Sequence, residues 1–218
     1  MQNKTKIILI RHGESLGNAN RTMLGHTDLD LSPLGYAQSE TTANHLKNEK
    51  IDAIYSSDLI RAYNTAVPHA KIRKIEIIKS KMLREIQIGG WENLKIEEII
   101  AKWGSDAYSI DWKKNFGLFN FPDGESVRGA GERFYNEVLR ISRENIGKTI
   151  IITAHAAVIR AFWGIISGIS WEKLASTIDF PSNASYSVAY FDGDSIIPES
   201  YSNDSHLSGV GITCVNSQ

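Results

Sequence analysis

Reactive side chains directly follow an apolar run near the start of the chain. The run Ile7–Ile10 is too short for a helix and is typical of a strand that is buried on both faces. Arg11 and His12 come next, and in open α/β sheets ligands bind beyond the carboxyl ends of the strands. This order of residue types indicates a reactive imidazole beside a fixed cation. Taken alone, it also fits a surface ion pair at Arg11 and a hydrogen-bonded core histidine at His12.

A second apolar run ends in the same way. Residues Thr149–Ala154 read as a buried strand, and His155 follows before a predicted helix from Ala156 to about Ser167. Two buried strands therefore end in histidines, each at a strand-to-loop junction.

A strand predicted over Ala53–Ser56 leads into a further helix. Ser57 or Asp58 can cap this helix, because both residue types accept hydrogen bonds from the first free backbone N–H groups. Arg61 then falls in the first helical turn.

Composition restricts the kind of protein and the kind of partner. A chain of 218 residues fits a single α/β domain spanning residues 1–218. The net charge of -1 gives no basic field for nucleic-acid binding, so any anion site must be local. The apolar run before Arg11 has only four residues, too few for a signal peptide or a membrane span. We expect no nucleic-acid or membrane partner, and the oligomeric state is open.

The single cysteine, Cys214, allows no intramolecular disulfide, which fits a reducing cytoplasmic location. No arginine follows Cys214, so the loop of a cysteine-dependent phosphatase is not indicated.

Alternation of strands and helices predicts an α/β fold, a three-layer α/β/α sandwich with a mainly parallel central sheet. Ser32 is predicted to cap a helix that runs to about Leu46, with Pro33 in its first turn. The other predicted elements are a third strand at Ile75–Ile78, a long helix from the turn at Phe121–Ser126 to near Gly147, and a closing hairpin of Ser185–Phe191 with Ile196–Ile197. The polar tail after Ser202 is predicted to be loosely ordered.

The segment of residues 95–121 is predicted to form a small helical cap. Helical patterns cover residues 95–103 and 106–114, and the segment is rich in aromatic residues: Trp103, Tyr108, Trp112, Phe116, Phe119 and Phe121. These side chains fit either core packing within the cap or a lining for substrate. Lys113 and Lys114 either meet a second acidic group on some substrates or form a solvated face.

The chain resembles the histidine phosphatase superfamily, which includes the cofactor-dependent phosphoglycerate mutases. The blocks that carry this resemblance occur in the family's order over roughly residues 6–191: Arg11-His12-Gly13-Glu14-Ser15 with Asn18, Gly25-His26-Thr27-Asp28, Leu31-Ser32-Pro33-Leu34-Gly35 with Gln38, Ser56-Ser57-Asp58-Leu59-Ile60-Arg61-Ala62 with Thr65-Ala66, Leu83-Arg84-Glu85 with Gly89 and Trp91-Glu92, Pro122-Asp123-Gly124-Glu125-Ser126, and Ala154-His155.

The resemblance implies a role for each matching residue. A phosphomonoester dianion repels nucleophiles, so fixed positive groups must surround it. His12 is the implied nucleophile that becomes phosphohistidine, and Glu85 is the implied general acid. The implied contacts to the phosphoryl group or the substrate are Arg11, Arg61, His155, Ser15, Asn18, His26, Thr27 and Ala156.

One implied role has an alternative, and the chain departs from the family pattern at two positions. Glu85 also fits a surface carboxylate paired with Arg84. Ala156 stands where the family most often has glycine, and its N–H can still bind phosphate if its φ is negative. Asn93 replaces a common glycine, and asparagine tolerates the left-handed conformation best.

These residues predict a metal-independent phosphomonoester hydrolase that acts on small phosphorylated metabolites. No metal site and no cofactor are expected, because the six histidines show no zinc-site spacing and no Gly-rich nucleotide loop occurs. Two alternatives remain: a cofactor-dependent phosphoglycerate mutase with the same reactive residues, and an inactive phosphate-binding module.

Overall fold

The structure is a computed structural model that describes residues 4–214, without the side chains of residues 109–111 and 113. A six-stranded sheet forms its centre, in the order β3-β2-β4-β1-β5-β6. β1 to β4 are parallel to one another, whereas β5 and β6 form an antiparallel hairpin on the edge next to β1. The strands are β1 (Thr5–Arg11), β2 (Ala53–Ser57), β3 (Ile77–Ser80), β4 (Thr149–Ala154), β5 (Tyr186–Phe191) and β6 (Ile196–Asn203).

Helices cover both faces of this sheet, as the sequence predicts. They are α1 (Leu16–Ala19), α2 (Pro33–His45), α3 (Ile60–Arg73), α4 (Ile96–Trp103), α5 (Val127–Glu144), α6 (Ala156–Ile166) and α7 (Leu174–Thr177). No helix among the described residues has both the length and the apolar character needed to cross a lipid bilayer.

The alternation of side chains along β1 produces the two interior layers. Ile7 and Leu9 pack in a cluster with α5 and α6, whereas Ile8 and Ile10 pack in a second cluster near α2 and α3. All four side chains are buried, since β1 lies at the middle of the sheet. The three-layer α/β/α prediction is therefore confirmed.

Two of the predicted helix starts have different outcomes. Ser32 caps α2 as predicted, because its Oγ accepts a hydrogen bond of 3.0 Å from the N–H of Gly35. The predicted cap of α3 is wrong: Leu59 occupies the cap position and its side chain makes no capping bond, while the Oδ1 of Asp28 accepts from the N–H of Ile60 at 2.7 Å. Ser57 and Asp58 are engaged elsewhere, with His155 and Arg84 respectively.

The structure also corrects two boundaries and the predicted loose tail. β3 begins at Ile77, two residues later than predicted, and β6 continues to Asn203. The segment after Ser202 packs against the domain as far as residue 214. In that segment Leu207 is fully buried, and the Gln38 amide donates 2.8 Å to the carbonyl of Gly211.

The aromatic segment of residues 95–121 mostly packs around Trp91. This indole is completely buried, and the rings of Phe119 and Phe121 lie 5.3 Å from it between centroids. Trp112 contacts the same cluster from a π-helix over Ala107–Lys114. Core packing therefore accounts for much of the aromatic density.

Candidate active site

The reactive residues meet at the carboxyl edge of β1 and β4. These two parallel strands are in register, with Arg11 opposite Ala154, so His12 and His155 leave the sheet side by side. Their ring centroids lie 5.2 Å apart. Arg61 enters from the first turn of α3, and Glu85 enters from the loop after β3.

His12 is held as a neutral imidazole. Its Nδ1 lies 2.7 Å from the carbonyl oxygen of Gly13. A carbonyl can only accept, so Nδ1 carries the proton and Nε2 keeps its lone pair. Burial, with the charges of Arg61 and Arg11, lowers the pKa of His12 well below its usual value.

Backbone carbonyls hold the two arginines in place. Arg11 donates through Nη1 to the carbonyl of Pro181 at 2.6 Å. Arg61 donates through Nη1 and Nη2 to the carbonyls of Thr27 and Gly25, both at 2.8 Å. Both side chains are 1% exposed, and within residues 4–214 neither Nε–H group has an acceptor.

This burial removes two positive groups from water, so that a bound anion would stabilise them. It lowers the pKa of Arg11, and it lowers that of Arg61 to about 10, so both remain protonated at neutral pH. Two buried, charged guanidinium groups whose Nε–H donors have no acceptor within residues 4–214, beside a neutral imidazole, fit a dianionic phosphoryl group.

Glu85 lies at the start of α6. Its carboxylate accepts hydrogen bonds from the N–H groups of Ala157 at 3.0 Å, Val158 at 3.1 Å and Ile86 at 3.0 Å. A helix N-terminus favours such a negative charge. The alternative pairing with Arg84 is absent, because Arg84 forms a two-pronged ion pair with Asp58 at 2.7 Å.

His155 is completely buried beside His12. Its Nε2 lies 2.8 Å from the Oγ of Ser57, and no local sequence pattern signals this contact. Its Nδ1 has no partner among the described residues. Burial and the nearby charge of Arg61 lower the pKa of His155 well below its usual value, which keeps the ring neutral.

Three of the other predicted contact residues line the pocket. Ser15 caps α1, with its Oγ accepting from the N–H of Asn18 at 3.1 Å, and both residues face the pocket. Ala156 is the first residue of α6 and also lines it. Its helical backbone meets the condition of negative φ, and Asn93, the other departure, adopts the left-handed φ of 58°.

His26 and Thr27 lie beside the pocket instead of in its wall. The Nε2 of His26 contacts the carbonyl oxygen of Glu85 at 2.9 Å, and the hydroxyl of Thr27 donates to Glu92 at 2.6 Å. Both side chains are engaged in protein contacts that hold neighbouring parts of the site. Their role as direct substrate ligands stays a prediction.

Two further charged residues support the site indirectly, by holding the backbone segments that carry or bind its side chains. The carboxylate of Glu92 accepts from the N–H groups of His26 at 2.7 Å and Thr27 at 2.9 Å, and so holds the loop whose carbonyls bind Arg61. Glu92 belongs to the block Trp91-Glu92 that resembles the family, so the sequence contained a signal for this residue.

Arg133 is the second of these residues. It donates to the carbonyls of Met82, Arg84 and Glu85 and pairs with Glu125 at 2.9 Å, and so fixes the backbone that carries the Glu85 carboxylate. Nothing in the sequence distinguishes Arg133, in the middle of α5, from a surface arginine.

The pocket has a volume of about 110 Å³, and the rest of its wall is mostly apolar. The π-helix contributes Tyr108 and Trp112 to this wall. Lys114 is exposed and does not line the pocket, and the Lys113 side chain lies outside the described residues. In the described part of the chain, no group of three or more His, Cys, Asp or Glu side chains could hold a metal ion.

Known proteins with similar sequences include phosphatases and mutases. The chain is 32% identical to phosphoserine phosphatase 1 of Hydrogenobacter thermophilus over 86% of this chain and 87% of that protein. It is 33% identical to a metal-independent phosphoserine phosphatase of Arabidopsis thaliana, over 95% and 85% of the two chains. A 2,3-bisphosphoglycerate-dependent phosphoglycerate mutase of Bartonella tribocorum is 30% identical over 78% and 85%.

A solved structure confirms the likeness at the level of the fold. Bacillus stearothermophilus YhfR superposes with a TM-score of 0.87 at 26% identity, over 94% of this chain and all of that one. The model of the histidine phosphatase superfamily, branch 1, matches residues 7–204, which include all of the reactive residues. The chain belongs to the histidine phosphatase superfamily.

Proposed function

We propose that this protein hydrolyses phosphomonoesters of small metabolites through a phosphohistidine formed on His12. The observation that carries the proposal is the state of His12, a neutral imidazole with its Nε2 lone pair available, beside two buried arginines. This arrangement provides both a nucleophile and the positive charge that a phosphoryl group needs.

In the first step, Nε2 of His12 attacks phosphorus while the bond from phosphorus to the ester oxygen breaks. Arg11 and Arg61 donate through their Nε–H groups to the phosphoryl oxygens. Glu85 gives its proton to the leaving alkoxide. Glu85 enters this step as the carboxylic acid and leaves it as the carboxylate.

In the second step, water attacks the phosphohistidine. Glu85, now a carboxylate, takes a proton from the water, and the bond from phosphorus to Nε2 breaks. Inorganic phosphate leaves, and His12 returns to its neutral form. Glu85 ends this step protonated, which is the form that the first step requires for the next substrate.

The phosphoglycerate mutase remains a second candidate, because a mutase is among the similar proteins. Hydrolase is favoured, since the similarity to the phosphoserine phosphatases covers more of the chain. An inactive binding module would need no nucleophile, and we would expect it to lack at least one reactive residue. None of the four is lost, and they lie next to one another: His12, Arg61, Glu85 and His155.

The proposal extends to the cap and the compartment. Residues 95–121 act as the cap over the substrate, with Tyr108 and Trp112 facing the pocket in its support. A cytoplasmic location is supported by the single cysteine, Cys214.

Turnover of p-nitrophenyl phosphate, together with acid-quench detection of phosphoenzyme, tests the proposal. We expect His12→Ala to abolish both signals. His45→Ala removes an exposed histidine far from the site and should leave both unchanged. Equal activity in the His12→Ala protein would contradict the proposal. Incubation with 3-phosphoglycerate and a 2,3-bisphosphate primer separates the mutase, which would form 2-phosphoglycerate faster than free phosphate.

A further inference from the structure

We infer that the favoured substrates carry a neutral, apolar organic group on the phosphate. This inference rests on the proposed function and specifies its substrate class. It comes from the part of the pocket wall that lies beyond the reactive residues, where the leaving group of a bound phosphomonoester must lie.

Two loops build one side of this wall. The loop between α1 and α2 contributes Met23 and Leu24, and the loop that carries Glu85 continues with Ile86 and Ile88. All four side chains are aliphatic or a thioether, and Leu24 and Ile88 are already buried without ligand. Such side chains offer dispersion contacts and no hydrogen bonds.

The proposed cap builds the other side. Ile96 comes from the first turn of α4, and Tyr108 and Trp112 come from consecutive turns of the π-helix. Tyr108 is 7% exposed and Trp112 is 5% exposed, so their positions are fixed by packing. Phe121 and Phe180 complete this wall.

Charged groups on the wall are confined to two places. Arg11, Arg61 and Glu85 lie at the reacting end, and Arg21 is the other charged residue among the described lining side chains. Arg21 is exposed, so water screens its charge. A leaving group with both a carboxylate and an ammonium, as in phosphoserine, would lose water against this wall and gain few polar partners.

A series of n-alkyl phosphates tests the inference, because the chemistry of the leaving oxygen is nearly constant from ethyl to hexyl. Each methylene that moves from water to an apolar wall should raise kcat/KM by about twofold to fourfold. We expect this rise to continue until the chain fills the pocket. n-Butyl phosphate should exceed glycerol phosphate, its polar counterpart of similar size, and O-phosphoserine by about tenfold or more.

Two isoleucines of α4 give a matched pair of variants. Ile96 lines the pocket, whereas Ile100, one turn later on the same helix, is 37% exposed and lies outside it. We expect Ile96→Ser to lower the ratio of kcat/KM for butyl over ethyl phosphate by about threefold. Ile100→Ser should leave this ratio as it is in the parent protein.

Measured rates separate the inference from the proposed function. If the alkyl phosphates are hydrolysed with no dependence on chain length, the inference is wrong and the proposed function stands. The same holds if O-phosphoserine is the best substrate and Arg21→Ala removes that preference. If not even p-nitrophenyl phosphate is hydrolysed, the proposed function fails and the inference falls with it.

Discussion

Replacing Glu92 by glutamine tests how the site holds Arg61. The two carboxylate oxygens accept from the N–H groups of His26 and Thr27 and from the Thr27 hydroxyl, at 2.6 to 2.9 Å. An amide has one acceptor oxygen, and its NH₂ group can only donate. In either orientation, at least one backbone N–H faces the NH₂ group, and the loop that binds Arg61 must shift.

The size of the effect follows from that lost acceptor. A partly buried N–H without a partner costs about 1–3 kcal/mol. If the loop transfers this cost to the placement of Arg61, kcat/KM falls by about 5-fold to 150-fold. We expect a parallel loss of affinity for inorganic phosphate as a competitive inhibitor, because Arg61 meets phosphate in the ground state as well.

Gly25→Ala should also disturb the loop that binds Arg61, through the backbone of that loop instead of through Glu92. A Cβ at Gly25 would lie 2.2 Å from the Oε1 of Glu92, and the residue has a φ of +48°, which strains any side chain. The carbonyl of Gly25 is itself an acceptor for Arg61. The variant should therefore reproduce the loss of phosphate affinity.

Steady-state kinetics and phosphate inhibition form the assay, with thermal unfolding as a check on folding. Glu98→Gln is the control, because Glu98 also accepts from a backbone N–H, that of Lys95 at 2.7 Å, with no contact to Arg61. If Glu92→Gln and Glu98→Gln bind phosphate equally well, Glu92 does not position Arg61, and the reasoning is refuted.

Three further predictions concern the general acid, activity without a metal ion and the pH dependence of stability. Glu85→Gln should slow alkyl phosphates far more than p-nitrophenyl phosphate, which needs little protonation, while phosphoenzyme still forms; equal losses would remove Glu85 from the acid role. Activity should survive exhaustive dialysis against EDTA, since arginines supply the charge; loss with EDTA and recovery with Mg²⁺ would overturn the mechanism. Burial lowers the pKa of His69 to about 3. Between about pH 3 and 6.5 this histidine therefore binds a proton only in the unfolded protein, so the stability of the folded protein must decrease as the pH decreases. His69→Leu should reduce that slope by up to about 1.4 kcal/mol per pH unit in denaturant titrations, and an unchanged slope would contradict it.

Local patterns were enough to predict the strands and the reactive edge. β1 and β4 are short β-branched runs, so their types and the histidines that follow them could be read directly. Arg61 and Glu85 followed from the family resemblance, and the structure places them beside His12.

The supporting contacts could not be predicted, because they join distant parts of the chain. Ser57 has the sequence signature of a helix cap, yet it meets His155, which lies 98 residues further on. Arg133 reaches carbonyls 48 to 51 residues earlier. Local propensity does not encode such pairs, since they exist only once the layers have packed. The prediction of a loose tail was wrong for the same reason, because the hydrogen bond from Gln38 to Gly211 joins distant parts of the chain.

The sheet order has a consequence for how the protein is made. β1 leaves the ribosome first, but its two partners, β4 and β5, begin at Thr149 and Tyr186. At ordinary rates of translation, this apolar strand waits for about 10 s or longer before either partner exists. During that time it must be shielded by transient local collapse or by a chaperone, because an unpaired apolar strand is prone to aggregate. Mutations that slow the completion of β4 should therefore lower the yield of folded protein without changing the activity of the molecules that fold.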